Sequence, residues 1–359
     1  MISISSLNGE AAPKSTSGAQ VSVAAREPLR VVAIGGGTGL STLLRGLRRH
    51  VAVPGQAGSE DGAIADLAAV VTVTDDGGSS GRLRQDFNML PPGDLRNCMV
   101  ALSEEEDLLT KLFGHRFRGG DSLKGHNVGN LFVAALTEIT GDFAQAVQLA
   151  SKILATRGRI YPATTANTTL VARMDDGSLV RGETNITASK RRIVELTLDP
   201  PCPPPVPETL EAIERASLIT VGPGSLYTSL ITNLLVEGIP QALAQAKGLR
   251  VYISNLMTQA NESLGLTASE HIERIYEHTR APIFDCALVN TAPFSPETLA
   301  RYAAEDASPI LADIECIEKM GVQCIAGDFG SEENVVRHNA NRVTGALLAL
   351  GRIAPRMRG

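Results

Sequence analysis

Apolar and polar positions fall in blocks along this chain, and the blocks predict its element order. Val31–Ile34 is a short apolar run that stops at four glycines within five positions, Gly35, Gly36, Gly37 and Gly39. Apolar residues then recur at 40, 43, 44 and 47, which is helical spacing. The pattern predicts a buried strand, a tight turn and a helix. A loop over 52–66 precedes a second apolar strand, 67–74, and helices are expected over 103–119, 131–139 and 142–156. Residues 159–207 have a different rhythm. Short alternating runs at 170–174, 179–183 and 193–198 predict a small β-rich insertion, closed by six prolines between 200 and 207. The earlier alternation then resumes: helix 208–215, strand 218–221, a second glycine turn at 222–229, strand 250–254, helix 268–280, strand 284–289, helix 296–304 and a closing helix 332–352. Strand alternating with helix predicts an α/β fold with a doubly wound, mostly parallel sheet. One unit over 29–352 is expected, between tails at 1–28 and 353–359.

Composition narrows the class. With 43% hydrophobic and 20% charged residues among 359, the chain can bury a sizeable core. A net charge of −6 disfavours a nucleic-acid partner recognised by charge, and the absence of Trp weakens base stacking on a single strand. Five cysteines at 98, 202, 286, 316 and 324 form no C-x-x-C pair, so reduced thiols are expected rather than disulfides or a zinc site. No apolar run reaches membrane-spanning length, and the N-terminus has no signal-peptide pattern. A cytoplasmic protein without membrane insertion is the expectation. A homo-oligomer stays open.

The candidate chemistry sits where strands end. Gly35, Gly36, Gly37, Thr38 and Gly39 place flexible backbone at a helix start, where free N–H groups and the helix dipole favour an anion. No Lys-Ser or Lys-Thr follows, so this is not a P-loop. The 67–74 strand runs into Asp75, Asp76, Gly78, Ser79, Ser80 and Arg82. Carboxylates at that edge suit ribose hydroxyls or a divalent cation, and arginines suit phosphate. Asp94 reads as an N-cap, while Arg96 and Asn97 in the same first turn are left without a capping role. His126, Asn127 and Asn130 open another helix, as caps or as a pocket wall with His126 as a proton carrier. Gly222, Gly224 and Ser225 form the second glycine turn, stiffened by Pro223, and Asn255 opens the loop after the 250–254 strand.

Five blocks carry a resemblance: Ala33–Leu40, Asp75–Arg84, Pro91–Asn97, Gly125–Leu131 and Val221–Ser229. Together they resemble the YvcK group, or gluconeogenesis factors, over about residues 29–352. The wider superfamily includes the 2-phospho-L-lactate transferase of deazaflavin cofactor synthesis, the CofD type. The resemblance implies a Rossmann-like fold and a cytoplasmic protein that binds a UDP-sugar, chiefly UDP-N-acetylglucosamine. It also implies a role coupling carbon metabolism to cell-wall precursor synthesis and cell shape, with a cell-wall precursor enzyme as a protein partner. Arg301 matches a ligand contact of the group. One departure is visible: the group's nucleotide-sugar tyrosine is Leu266 here.

Three functions compete. The first is a UDP-sugar-binding regulator without turnover. The second is a CofD-like phosphotransferase using a divalent cation at Asp75 and Asp76. The third is a nicotinamide oxidoreductase. It is weakened because Asp75 lies 36 positions after Gly39 where about 20 are expected.

Overall fold

A computed structural model describes residues 27–52, 62–120, 122–189, 191–260 and 262–357. Its strands are β1 (Leu29–Gly35), β2 (Ile64–Val71), β3 (Arg159–Pro162), β4 (Thr169–Met174), β5 (Leu179–Arg181) and β6 (Ile193–Asp199). They continue with β7 (Leu218–Val221), β8 (Leu249–Ile253), β9 (Cys286–Asn290), β10 (Gln323–Gly327), β11 (Gly330–Glu332) and β12 (Val336–His338). Seven of them make one parallel sheet in the order β10-β9-β8-β7-β1-β2-β3. The chain builds outward from β1 through β2 to β3, then returns to the other side of β1 with β7. That reversal between β1 and β7 opens a crevice at their C-terminal ends, where open α/β sheets bind ligands.

The alternation inside β1 explains why the sheet is covered on both faces. Val31 and Ala33 join one buried layer, with Leu40, Leu43, Leu44 and Leu47 of α1 (Gly37–Arg48). Val32 and Ile34 join the other, with Leu226, Tyr227 and Leu230 from beyond β7. A strand apolar on both faces belongs in the middle of such a sheet. α2 (Gly78–Phe87), α3 (Gly93–Leu102), α4 (Glu106–Gly114), α5 (Val128–Thr140) and α6 (Phe143–Ile153) follow β2. The antiparallel sheet β5-β4-β6 lays Leu170, Ala172 and Met174 on the second layer.

Several boundaries differ from those the pattern predicts. Arg159–Pro162 is the edge strand of the main sheet, so the inserted sheet begins only at Thr169. The segment expected as a helix over 103–119 is helical only from Glu106 to Gly114. The closing helix starts at Ala340 because β11 and β12 form a hairpin before it, and it runs on to Met357 through residues expected as a tail. Most of the 1–28 tail and of the 52–66 loop lies outside the described residues.

Candidate functional site

The crevice is lined first by the opening glycine turn. Gly35 closes β1, Gly36 is the N-cap of α1 and Gly37 has φ +62°, a left-handed conformation that glycine adopts without strain. No side chain of the turn caps α1, and its first turn holds no acidic residue. The Gly37 N–H instead donates to Asp94 Oδ2 at 2.8 Å, from α3. The second turn closes on the first. A Cβ on Gly39 would lie 2.5 Å from the Pro223 carbonyl oxygen, so only glycine allows the two turns to touch.

The second turn is tied down from behind. A π-helix, Leu226–Ile231, follows it, and the Tyr227 and Thr228 N–H groups donate to Glu262 Oε1 at 3.1 and 2.8 Å. Gln259 Nε2 donates to Ser225 Oγ at 2.9 Å. The buried Asn233 amide donates to the Gly35 and Ser229 carbonyl oxygens, joining the end of β1 to the π-helix. The anion position at the π-helix is thus filled by an internal carboxylate. At α1 only one first-turn N–H is taken that way, and Thr38 and Gly39 border the opening.

The resulting cleft has a volume of about 430 Å³. Gly36, Gly37, Thr38 and Gly39 form one wall, Gly224 and Ser225 the next, and Asn255 through Ala260 a third. Tyr302, Val336, Arg337 and His338 close it. His338 Nε2 pairs with the Ser254 carbonyl oxygen at 3.0 Å, and burial holds its pKa down to about 4, so the ring is neutral.

The remaining candidates gather behind Asp94 rather than in this lining. Ser79 Oγ and His126 Nδ1 are 3.1 Å apart and buried, and Asn127 accepts from the Asn130 N–H as the cap of α5. Asn130 Nδ2 donates to Ser80 Oγ at 3.3 Å. Burial and the Arg82 charge lower the His126 pKa. Asp75 Oδ1 accepts from the Gly77 N–H. Asp76 Oδ1 accepts from both the N–H and the hydroxyl of Thr184, at 2.8 and 2.6 Å. Asp76 therefore caps the short helix Glu183–Ala188 of the insertion. Among the described residues no three His, Cys, Asp or Glu side chains are grouped to hold a metal ion.

Carboxylates crowd this region. Burial, chiefly, pushes Asp94 up to about 6, against the Gly37 hydrogen bond and with help from Asp75. Burial also pushes Glu183 up to about 9, reinforced by Asp75, Asp94, Glu262 and Asp76. Glu262 is raised by burial too, although its N–H donors oppose the shift.

Two positions suggested by resemblance lie elsewhere. Arg301 packs over the Tyr302 ring, 5.7 Å from its centroid, and donates to the Glu333 carbonyl oxygen. The neighbouring Tyr302 is the residue that meets the cleft, and its hydroxyl accepts from the Val336 N–H at 2.9 Å. Leu266 is half-buried against the second apolar layer and does not line the cleft. Gly222 brings its backbone against the Ile253 carbonyl oxygen, a packing position. Asp94, expected only as a cap, is not one: Pro92 is the N-cap of α3 and no side chain caps it. Glu262, Tyr302, Arg337 and His338 carry no local motif and become site residues only through the fold.

Comparison with known proteins follows this geometry. The family described as 2-phospho-L-lactate transferase CofD matches residues 31–330. A protein named gluconeogenesis factor from Halalkalibacterium halodurans is 46% identical over 319 residues, 89% of this chain and 95% of that protein. One of the same name from Bacillus subtilis is 44% identical over 89% of this chain and 98% of its own. A crystal structure of a Bacillus halodurans protein superposes with a TM-score of 0.84 at 44% identity, covering 90% of this chain and all of that one.

Proposed function

The chain belongs to the CofD family, and within it we propose a regulatory protein whose cleft binds a UDP-sugar, UDP-N-acetylglucosamine foremost. One observation carries the reading: two glycine turns touch at the β1/β7 switch point, and the first presents the start of α1 to the opening with only its Gly37 N–H taken, by Asp94. A diphosphate fits the first turn of α1, where N–H groups and the helix dipole favour it. Asn255, Gln259 and Tyr302 give polar and aromatic surface for the sugar and base. The names of the relatives support a role in carbon metabolism. The output to cell-wall precursor synthesis and cell shape is part of the same proposal.

Isothermal titration of the full chain with UDP-N-acetylglucosamine, UDP-glucose and UDP tests it. Saturable one-to-one binding that prefers a sugar over UDP is expected, and silence across all three would sink the reading. A parallel arm adds Mg²⁺ and a nucleotide-activated phospho-acid. Consumption of that donor would replace the binder with the transferase that the family description names.

A further inference from the structure

Among the described residues four asparagines are buried: Asn127, Asn130, Asn233 and Asn255. Three of them use the side chain inside the protein. Asn127 caps α5, Asn130 Nδ2 donates to Ser80 Oγ, and Asn233 Nδ2 donates to the Gly35 and Ser229 carbonyl oxygens. Asn255 is 8% exposed, and its side chain meets no hydrogen-bond partner among the described residues. The Ser254 hydroxyl reaches only its backbone carbonyl oxygen, at 3.3 Å. Asn130 Oδ1 and Asn233 Oδ1 are sealed in the interior without a partner, whereas the Asn255 amide is open to the cleft that it lines. A buried amide left unpaired is costly, so one that opens only on a cleft marks a place for a ligand atom.

The backbone around Asn255 is fixed from both sides. His338 Nε2 holds the Ser254 carbonyl oxygen, at 3.0 Å. The Leu256 carbonyl oxygen accepts from the Ile310 N–H at 3.0 Å, and Thr258 exchanges two hydrogen bonds with Ser308, at 2.7 and 2.9 Å. That segment is tied in turn to Tyr302, whose carbonyl oxygen accepts from the Ala307 N–H. One hydrogen-bonded unit thus carries an aromatic ring and a free amide, and both line the cleft. Arg301 backs the Tyr302 ring, 5.7 Å from its centroid. Asn255 follows β8, which lies two strands from β1 in the sheet. Two strand spacings are about 10 Å, a length that a ribose bridges between a diphosphate at α1 and a base at Asn255.

We propose that Asn255 reads the base of the bound nucleotide, pairing its amide with the N3–H and an adjacent carbonyl oxygen of uracil. The inference rests on the UDP-sugar reading and assigns one residue of the cleft to the base. An amide offers one donor and one acceptor side by side. The imide edge of uracil answers with an acceptor beside a donor, held in one plane, so both bonds form at once, as in other amide–base pairs. The rest of the ligand does not match. Diphosphate oxygens only accept, and would face Asn255 Oδ1 without a proton between them. A sugar hydroxyl meets one end of the amide at a time, and the N–H and C=O of a trans acetamido group point opposite ways. Tyr302 supplies the ring against which the base packs. A base that cannot donate from this edge leaves Asn255 Oδ1 buried and unpaired, which is a strong ground for rejection.

Isothermal titration of the full chain tests this with UDP-N-acetylglucosamine, UDP and N3-methyl-UDP, on the parent and on Asn255→Leu, which removes the amide at similar side-chain size. On the parent, N3-methylation should weaken UDP about tenfold to a hundredfold, the loss expected when a buried hydrogen-bonding group is left unpaired. Asn255→Leu should weaken UDP and UDP-N-acetylglucosamine by the same factor, and N3-methylation should then cost nothing further. Thermal melts check that the variant folds, and the N3-methyl comparison on the parent decides the matter if it does not. Equal affinity of the parent for UDP and N3-methyl-UDP, or losses that add across the two changes, would overturn the proposal. So would a loss in Asn255→Leu confined to UDP-N-acetylglucosamine, which would place the amide on the sugar. Binding that ignores N3 leaves the UDP-sugar reading intact, whereas a parent silent to all three ligands removes both.

Discussion

Asp94 shows how a residue can look local and act at long range. Following Pro91, Pro92 and Gly93 it reads as a cap, yet its carboxylate reaches the Gly37 N–H, 57 positions away in sequence. Burial raises its pKa from 3.8 to about 6. A carboxyl raised on folding keeps its proton longer in the folded state, so stability falls as pH rises through the window between about 4 and 6. The shift corresponds to about 3 kcal/mol, at about 1.4 kcal/mol per unit. Asp94→Asn keeps an acceptor for Gly37 and removes the ionisation. Its stability should therefore gain on the parent by up to about 3 kcal/mol between pH 4 and 7, measured by urea unfolding. Parallel pH profiles for the two proteins would show that Asp94 titrates normally. The glycines were legible because their requirement is local: Gly37 needs its positive φ and Gly39 its missing Cβ. Asp94 was not, because nothing near it in sequence marks its partner.

At the scale of elements, long apolar runs ended by Gly, Asp or Asn were readable, as were the alternating runs that became β4, β5 and β6, while β3, β10, β11 and β12 were not. β1, β2, β7, β8 and β9 stand out because both faces are buried. β3 is Arg-Ile-Tyr-Pro, β10 begins with Gln, and β11 and β12 have three residues each, too few to show a period. The hairpin matters most for the site, since it brings Val336, Arg337 and His338 to the cleft. The insertion depends on one clamp that the sequence did not reveal. Asp76, at the end of the β2 segment, holds the helix Glu183–Ala188, and Arg84 donates to Asn167 Oδ1 and the Thr168 carbonyl oxygen. Removing Asp76 removes a cap, which typically costs about 1 kcal/mol. Asp76→Ala should speed limited proteolysis within 169–199 while the main sheet stays resistant, and adding Thr184→Ala should do little more. Additive effects of the two substitutions would mean that Asp76 and Thr184 act separately.

At the scale of the whole molecule, the cleft belongs to no single stretch of chain. The β1 turn comes from the first fifty residues, the β7 turn and the Asn255–Ala260 wall from the middle, and Tyr302 and β12 from the end. The order β3-β2-β1-β7-β8-β9-β10 brings them together by reversing direction at β1. Sequence reading found the two turns and the doubly wound class. Of the third wall it found only Asn255; the rest of that wall and the hairpin escaped it because they are neighbours only after the sheet has formed. A ligand seated at the switch point must therefore touch backbone from all of these parts at once. Hydrogen exchange on the full chain, with and without UDP-N-acetylglucosamine, reads this directly. Amides at 36–40, 224–229, 255–260 and 335–338 should slow together on binding, because the first-turn N–H groups gain an acceptor and the walls lose their freedom to open. The sheet β5-β4-β6 lies on the second apolar layer, away from the lining, and should exchange as before. Slowing confined to the insertion, or to only one of the four segments, would place the ligand outside the β1/β7 crevice.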